Sequence, residues 1–317
     1  MYYIGVDVGG MSIKAGIINE NGEILLKKSF VTDNLAPSQV IIGAIADFIE
    51  SLAAEYGLSL KEISGIGLGF PGSVDSKGGI VRYCCNINLV KVRAVSLLKQ
   101  RLGVPNIKIT NDANAAALGE TLFGAGRGYQ NAALVTLGTG VGFGMVIDGK
   151  LFEGGYSAGT EGGHMQIVKG GDTCGCGEKG HWEAFASATA LIRMAKRAAE
   201  KHPESLLARL ADEEGLSGKT AFKAAKQGDK TAIALIKKYL EYVGMGIVNI
   251  ANLFFPEIII MGGGISNEGD YIVKPIQRYL NKHIYGKGYN PKIKVTAASL
   301  KNDAGIVGAA ALTMHDA

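Results

Sequence analysis

The chain has 317 residues, 47% of them hydrophobic and 20% charged, with a formal net charge of +4. That length has room for two packed domains, and without a Lys/Arg run the small charge argues against a nucleic-acid groove. No apolar run reaches the ~18 residues that cross a bilayer, and no basic region precedes the first apolar stretch to make a leader. Four cysteines, two of them as Cys174-x-Cys176, point to a reduced, cytoplasmic setting and to metal binding rather than disulfides.

In chain order, apolar runs predict strands at 3–8, 13–18 and 24–29, the last two joined by the turn Asn21-Gly22. Helical periodicity covers 38–56, a strand covers 63–69, and Phe70-Pro71-Gly72 follows it. A short strand at 108–110 leads into an Ala-rich helix over 112–123, with Asp112 as its N-cap. A strand at 133–137, a Gly/Thr loop, a strand at 142–147 and the turn Asp148-Gly149 repeat the opening pattern about 130 residues on. Such a repeat predicts two related α/β domains facing one another. Helices follow at 182–201, 229–253 and 270–282, strands at 257–261 and 292–297, and a closing helix at 304–313. Residues 202–228 read as a peripheral helical insertion without chemistry. Cys84-Cys85 reads as packing, His315 as a solvated side chain, and Trp182 as an anchor at a helix start.

The 46 glycines fall in blocks that suggest turns where backbone approaches a ligand. The loop from Asp7 through Gly9, Gly10, Met11, Ser12 and Lys14 lies between two strands and is not a Walker A sequence. Its amides could crowd a phosphate, Asp7 could hold hydrated Mg²⁺, and Lys14 adds positive charge. Gly138, Thr139 and Gly140 repeat the device. Gly262, Gly263 and Gly264 end an apolar strand, where an adenosine could lie on backbone. Asp112 suits a general base that takes a proton from a sugar hydroxyl attacking the γ-phosphorus of ATP.

His164, Cys174, Cys176 and His181 have the donor types and spacing of a closed, structural zinc site. Glu161 and Glu183 flank these ligands. A structural metal has no need of such acids, so a braced loop presenting carboxylates to a polyhydroxylated ligand is expected. His164 could bind metal through one ring nitrogen and a sugar hydroxyl through the other.

Taken together, DVGGMSIKAG at 7–16, GFPGSVD at 69–75, NDANAAALGE at 111–120, LGTGVGFG at 137–144, EGGH at 161–164, CGCGEKGHWE at 174–183 and MGGGIS at 261–266 resemble the ROK family of bacterial sugar kinases and repressors. The resemblance implies two ribonuclease-H-like, actin-like ATPase domains with a ligand cleft between them. It implies ATP- and Mg²⁺-dependent phosphorylation of a hexose, most commonly glucose, at the 6-hydroxyl, with a homodimer or homotetramer as the assembly. It also implies Asp112 as the base, and Asn86, Asn111, Glu161, His164 and Glu183 as sugar contacts. Three positions depart from the family pattern: Met11 replaces a usual Thr, His181 replaces the third Cys of the metal motif, and Leu89 replaces an aromatic. Residues 1–117, joined by 304–317, are expected to form an N-terminal α/β domain, and 118–303 a larger one carrying the zinc-binding segment 161–183. Repressors of the family carry a helix-turn-helix ahead of the first phosphate loop, and none is expected before Asp7. Other hexoses, an actin-like ATPase and a non-catalytic sugar sensor remain alternatives.

Overall fold

A computed structural model describes residues 1–84 and 86–314; the readings for Cys85 and His315 lie outside the described residues. The chain forms two compact units, Met1–Leu134 with Gly144–Thr160 and Ser299–Ala317, and Val135–Phe143 with Glu161–Ala298. Among the described residues, no helix is long and apolar enough to cross a membrane.

In the first unit, β1 (Tyr2–Val8), β2 (Ser12–Asn19) and β3 (Ile24–Val31) form an antiparallel meander. β1 is apolar almost throughout because it is covered on both faces, whereas edge strand β3 exposes Lys27 and Lys28, which discourage further pairing. α1 (Ser38–Tyr56) buries Ile41, Ile45, Ile49 and Leu52 at three- and four-residue spacing and stops at Gly57, whose φ is 84°. β4 (Ile63–Phe70) runs parallel to β1. Next come three strands that the sequence reading misses, β5 (Ser73–Asp75), β6 (Ile80–Tyr83) and β7 (Val90–Val92), which pair as a separate antiparallel sheet. Strands of three or four residues give too few alternations to register as a pattern. α2 (Ala94–Leu102) precedes β8 (Ile107–Asn111), which pairs parallel to β4. The sheet order is β3-β2-β1-β4-β8.

α3 (Asp112–Phe123) follows β8 directly. The sequence reading divides the chain at 117/118, inside this helix; the structure carries it unbroken through Phe123.

The second sheet contains β9 (Ala132–Leu137), β10 (Val141–Ile147), β11 (Lys150–Phe152) and two later strands. The helix expected over 182–201 is two helices, α4 (Glu183–Ala186) and α5 (Ala188–Lys201). Ser187 breaks it by turning extended, with its side chain capping α5 through Ala190 N at 3.0 Å. α6 (Leu206–Glu214) and α7 (Gly218–Lys226) make up the insertion, and α8 (Lys230–Phe254) is the longest helix among the described residues. β12 (Ile258–Gly262), α9 (Asp270–His283) and β13 (Lys294–Ala297) complete the second unit. The order β11-β10-β9-β12-β13 repeats the order of the first sheet, element for element.

α10 (Ala304–Met314) returns to the first unit. A Cβ on Gly5 would stand 1.8 Å from Ile306 O, one on Gly67 1.7 Å from Ala309 O, and one on Gly308 1.6 Å from Ala115 O. These glycines therefore serve close helix–sheet and helix–helix packing, a use that the turn-based reading of glycine does not anticipate.

Candidate functional site

In the first unit, the β1–β2 register sets Asp7 opposite Lys14, and Lys14 Nζ lies 3.8 Å from Asp7 Oδ2. Burial holds the Asp7 carboxyl above its ordinary range, and Lys14 partly counters it. Between them, the Gly9–Met11 loop is stapled by Thr32, whose Oγ1 donates to Gly9 O at 2.8 Å and whose N donates to Met11 O at 3.1 Å. Met11 itself is exposed. Asn86 abuts this loop: a Cβ on Gly10 would stand 3.1 Å from Asn86 Nδ2. Leu89 is fully buried in the core of the unit.

The β8–α3 junction corrects one reading. The N-cap is Asn111, not Asp112: Asn111 Oδ1 accepts from Ala113 N at 2.8 Å and Asn114 N at 3.3 Å. Its Nδ2 donates to Gly72 O at 3.0 Å, so both ends of this amide are engaged within the unit. Asp112 is the first helical residue, and its Oδ1 accepts from Ala113 N at 2.8 Å. The reason is backbone conformation, since extended Asn111 carries the cap geometry.

Sequence reasoning missed a set of polar side chains around this junction. Glu153 Oε1 accepts from Thr110 Oγ1 at 2.5 Å, and its Oε2 accepts from Ser76 Oγ at 2.5 Å. Thr160 Oγ1 donates to Asn114 Oδ1 at 2.9 Å. Asn114, a buried amide inside an Ala-rich helix, was the available signal, because such a group needs a partner.

In the second unit, His164, Cys174, Cys176 and His181 come together with donor atoms within 4.8 Å of one another. Cys174 Sγ is 3.6 Å from His164 Nδ1, and Cys176 Sγ is 3.2 Å from His181 Nδ1. Tetrahedral zinc with bonds of ~2.0–2.3 Å spaces its donors at roughly 3.3–3.8 Å, so these two pairs stand close to that spacing, and the two thiols and two imidazoles are the donor types that suit the ion. Two isolated bridges, Gln166 with His181 and Thr173 with Lys179, brace the loop. Burial pushes the Cys174 thiol up to about 12, with Glu183 adding to it. A coordinated dication reverses that preference, because a metal-bound thiol is deprotonated.

The acids join this cluster. Glu183 accepts from Cys174 Sγ at 3.2 Å and from Val141 N at 3.1 Å. His164 directs Nδ1 toward Cys174 and leaves Nε2 4.0 Å from Glu161 Oε2. Burial raises the Glu161 carboxyl; His164 opposes the shift and Glu183 adds to it. The second glycine loop touches the same acid: a Cβ on Gly140 would stand 2.3 Å from Glu183 Oε2. Thr139 O accepts from Thr189 Oγ1 at 2.8 Å. Gly263 packs on Leu137, next to Gly138, with a would-be Cβ 2.5 Å from Leu137 O. Gly264 opens a 3₁₀ turn through Glu268, and α9 then begins at Asp270, where the sequence reading places its start. Trp182 is fully buried, its indole N–H on Tyr242 O at 2.9 Å, which anchors the residue preceding Glu183.

Comparison with known proteins gives consistent matches. The ROK family profile matches residues 3–316. A glucokinase of Streptomyces coelicolor is 38% identical over 313 residues, covering 98% of this chain and 96% of the relative. A glucokinase of Thermotoga maritima is 37% identical over 313 residues, with 98% and 96% covered. The crystal structure of a ROK family glucokinase from Streptomyces griseus, in complex with glucose and AMPPNP, superposes with a TM-score of 0.84 at 37% identity, covering 98% of this chain and 99% of that one.

Proposed function

This chain belongs to the ROK family, and from that premise we propose that it is an ATP-dependent glucokinase that converts glucose to glucose 6-phosphate. The observation that carries the reading is 37–38% identity to glucokinases across almost the whole length of both chains. The geometry within each unit is consistent with it.

In this reading the Asp112 carboxylate accepts the proton of the sugar 6-hydroxyl as that oxygen attacks the γ-phosphorus in line and the bond to the β-phosphate oxygen breaks. Capping by Asn111 leaves Asp112 at the positive end of α3, a rigid place for a carboxylate. Asn86, Asn111, Glu161, His164 and Glu183 hold the sugar hydroxyls. Gly9, Gly10, Met11, Ser12 and Lys14, with Gly138, Thr139 and Gly140, receive the phosphates, and Gly262, Gly263 and Gly264 flank the adenosine. Asp7 has the chemistry to hold a hydrated Mg²⁺, which supplies charge neutralisation across the phosphates when bound. His164, Cys174, Cys176 and His181 hold zinc as a brace, with no step of the transfer assigned to it. The homodimer or homotetramer belongs to the same reading, and light scattering of the purified protein tests it.

The deciding experiment is sugar-dependent ADP release measured with glucose, N-acetylglucosamine, N-acetylmannosamine, fructose and no sugar. Glucose is expected to give the highest kcat/KM. A higher value for another hexose reassigns the substrate, and ADP release that ignores sugar rejects the kinase reading.

A further inference from the structure

The segment between β11 and Glu161 is a closed, strained loop. Gly159 N donates to Glu153 O at 2.8 Å, which brings its two ends together. Inside it, Tyr156 and Ser157 have φ of 58° and 53°, and Thr160 at its exit has φ of 65°. A β-branched residue in the left-handed region is a true outlier, and such backbone persists only where its surroundings over-determine it.

Those surroundings are explicit. Glu153 is held by Thr110 and Ser76, and Ser76 Oγ also lies 2.7 Å from Ser157 Oγ. Arg82 donates to Tyr156 O at 2.7 Å. Thr160 Oγ1 shares its hydrogen between Asn114 Oδ1 at 2.9 Å and Gly159 O at 2.6 Å. Two of these anchors, Thr110 and Asn114, flank Asn111-Asp112 in sequence, and both are buried. The loop is thus tied on both sides of the catalytic junction. Thr160, its last residue, is bonded covalently to Glu161.

We propose that Thr160 is a positioning residue for the sugar. Its hydroxyl, seated on Asn114, fixes the backbone from which Glu161 and His164 depart, at the cost of a left-handed threonine. The inference rests on the kinase reading above. Glycine at 160 would satisfy the backbone without this tie, so the hydroxyl rather than the side-chain volume is the functional part.

The test compares wild type with Thr160→Val, Thr160→Gly and Thr160→Ser, measuring KM for glucose, KM for ATP, kcat and melting temperature. Thr160→Val and Thr160→Gly are expected to raise the glucose KM by about 5–20-fold, the scale of one buried hydrogen bond, and to leave the ATP KM within about twofold. Thr160→Ser keeps the hydroxyl and stays within about twofold for both substrates. Thr160→Gly also relieves the strained φ, so it melts no lower than wild type and separates positioning from folding. In the double variant Thr160→Val with Asn114→Ala, the glucose KM rises no further than in Asn114→Ala alone, because the same bond is lost. A glucose KM within twofold of wild type in both Thr160→Val and Thr160→Gly overturns the inference and leaves the kinase reading intact. So does an equal rise in both KM values. Wild-type protein without glucose-dependent ADP release defeats the kinase reading and the inference with it.

Discussion

Glu183 Oε1 stands 3.2 Å from Cys174 Sγ, so an acid read as a sugar contact and a thiol read as a metal ligand share one hydrogen bond. Without a cation the thiol donates to the carboxylate and orients it. With a dication bound, the sulfur would be a thiolate, and Glu183 would be free to turn toward a sugar hydroxyl while Val141 N still held its other oxygen. On the proposed reading, metal loading and sugar affinity should therefore be coupled through this one side chain.

Chelation of the metal, or Cys176→Ala, should accordingly weaken glucose binding by about tenfold or more, and nucleotide binding by no more than about twofold. Trp182 is the one tryptophan in the chain and immediately precedes Glu183, so its fluorescence reports the titration. An unchanged glucose Kd in protein shown to be metal-free by elemental analysis would remove the brace from sugar recognition.

Asp112→Asn should lower kcat by about 10²–10⁴-fold while glucose affinity stays within about threefold. Asn111→Ala removes the cap, at roughly 1 kcal/mol, together with a proposed sugar contact, so it should raise the glucose KM while leaving the carboxylate chemistry of Asp112 in place. Single-turnover kinetics with both variants decide the matter. Near-normal turnover by Asp112→Asn would assign the proton to another group.

Much of this was legible in the sequence, and the limits have physical causes. The long elements announce themselves through period: α1 runs over the residues its apolar spacing predicts, and α3 keeps both predicted ends. The doubled strand order follows from the repeated strand–glycine loop–strand pattern, and the Cys/His cluster follows from short spacing within one loop. The identity of the α3 cap was not legible, because Asn111 and Asp112 are both good caps and only backbone angles choose between them. Nor were Thr160–Asn114 and Glu153–Thr110, since they join residues more than 40 positions apart whose types are common in loops. The break at Ser187 lies inside an apolar stretch, where periodicity continues across it and the local cap decides.

Asp7 carries a pH signature. Burial raises its folded-state pKa above the ordinary 3.8, with Lys14 opposing, while the start of α10 at Gly305 and the β4 residue Gly69 add no charged side chain. Between the unfolded and folded pKa values the native state binds more protons, so stability falls as pH rises through that window, and the deficit persists at neutral pH. Asp7→Asn should therefore melt about 1–3 °C higher than wild type at pH 7 without ligands. The difference should shrink as pH drops into the carboxylate range. Phosphoryl transfer should be lost in the same variant, as expected for a functional carboxylate that is held buried at a cost in stability. Melting curves across pH 4–8 read the sign directly, and a lower melting point for Asp7→Asn at pH 7 would contradict it.

Glu120 is fully buried near the C-terminal end of α3, where the helix dipole disfavours a carboxylate. Its place is explained by what it receives. Oε2 accepts from Ala125 N at 2.9 Å, Ser299 N at 3.1 Å and Ser299 Oγ at 3.3 Å, and Oε1 accepts from Leu300 N at 2.7 Å. It thereby fixes the turn after α3 and the segment at which the chain re-enters the first unit to begin α10. Glu120→Ala would orphan three backbone donors and leave a cavity, for a loss of roughly 3 kcal/mol, or about 6 °C or more in melting temperature. Glu120→Gln keeps the shape and one acceptor oxygen, so it should fall between. Ser299→Ala removes only the longest of the four bonds and should cost less than about 1 kcal/mol. That ranking, Ala worst, then Gln, then the serine variant, is specific to a buried acceptor. Equal melting points for Glu120→Ala and Ser299→Ala would show that the turn holds without it.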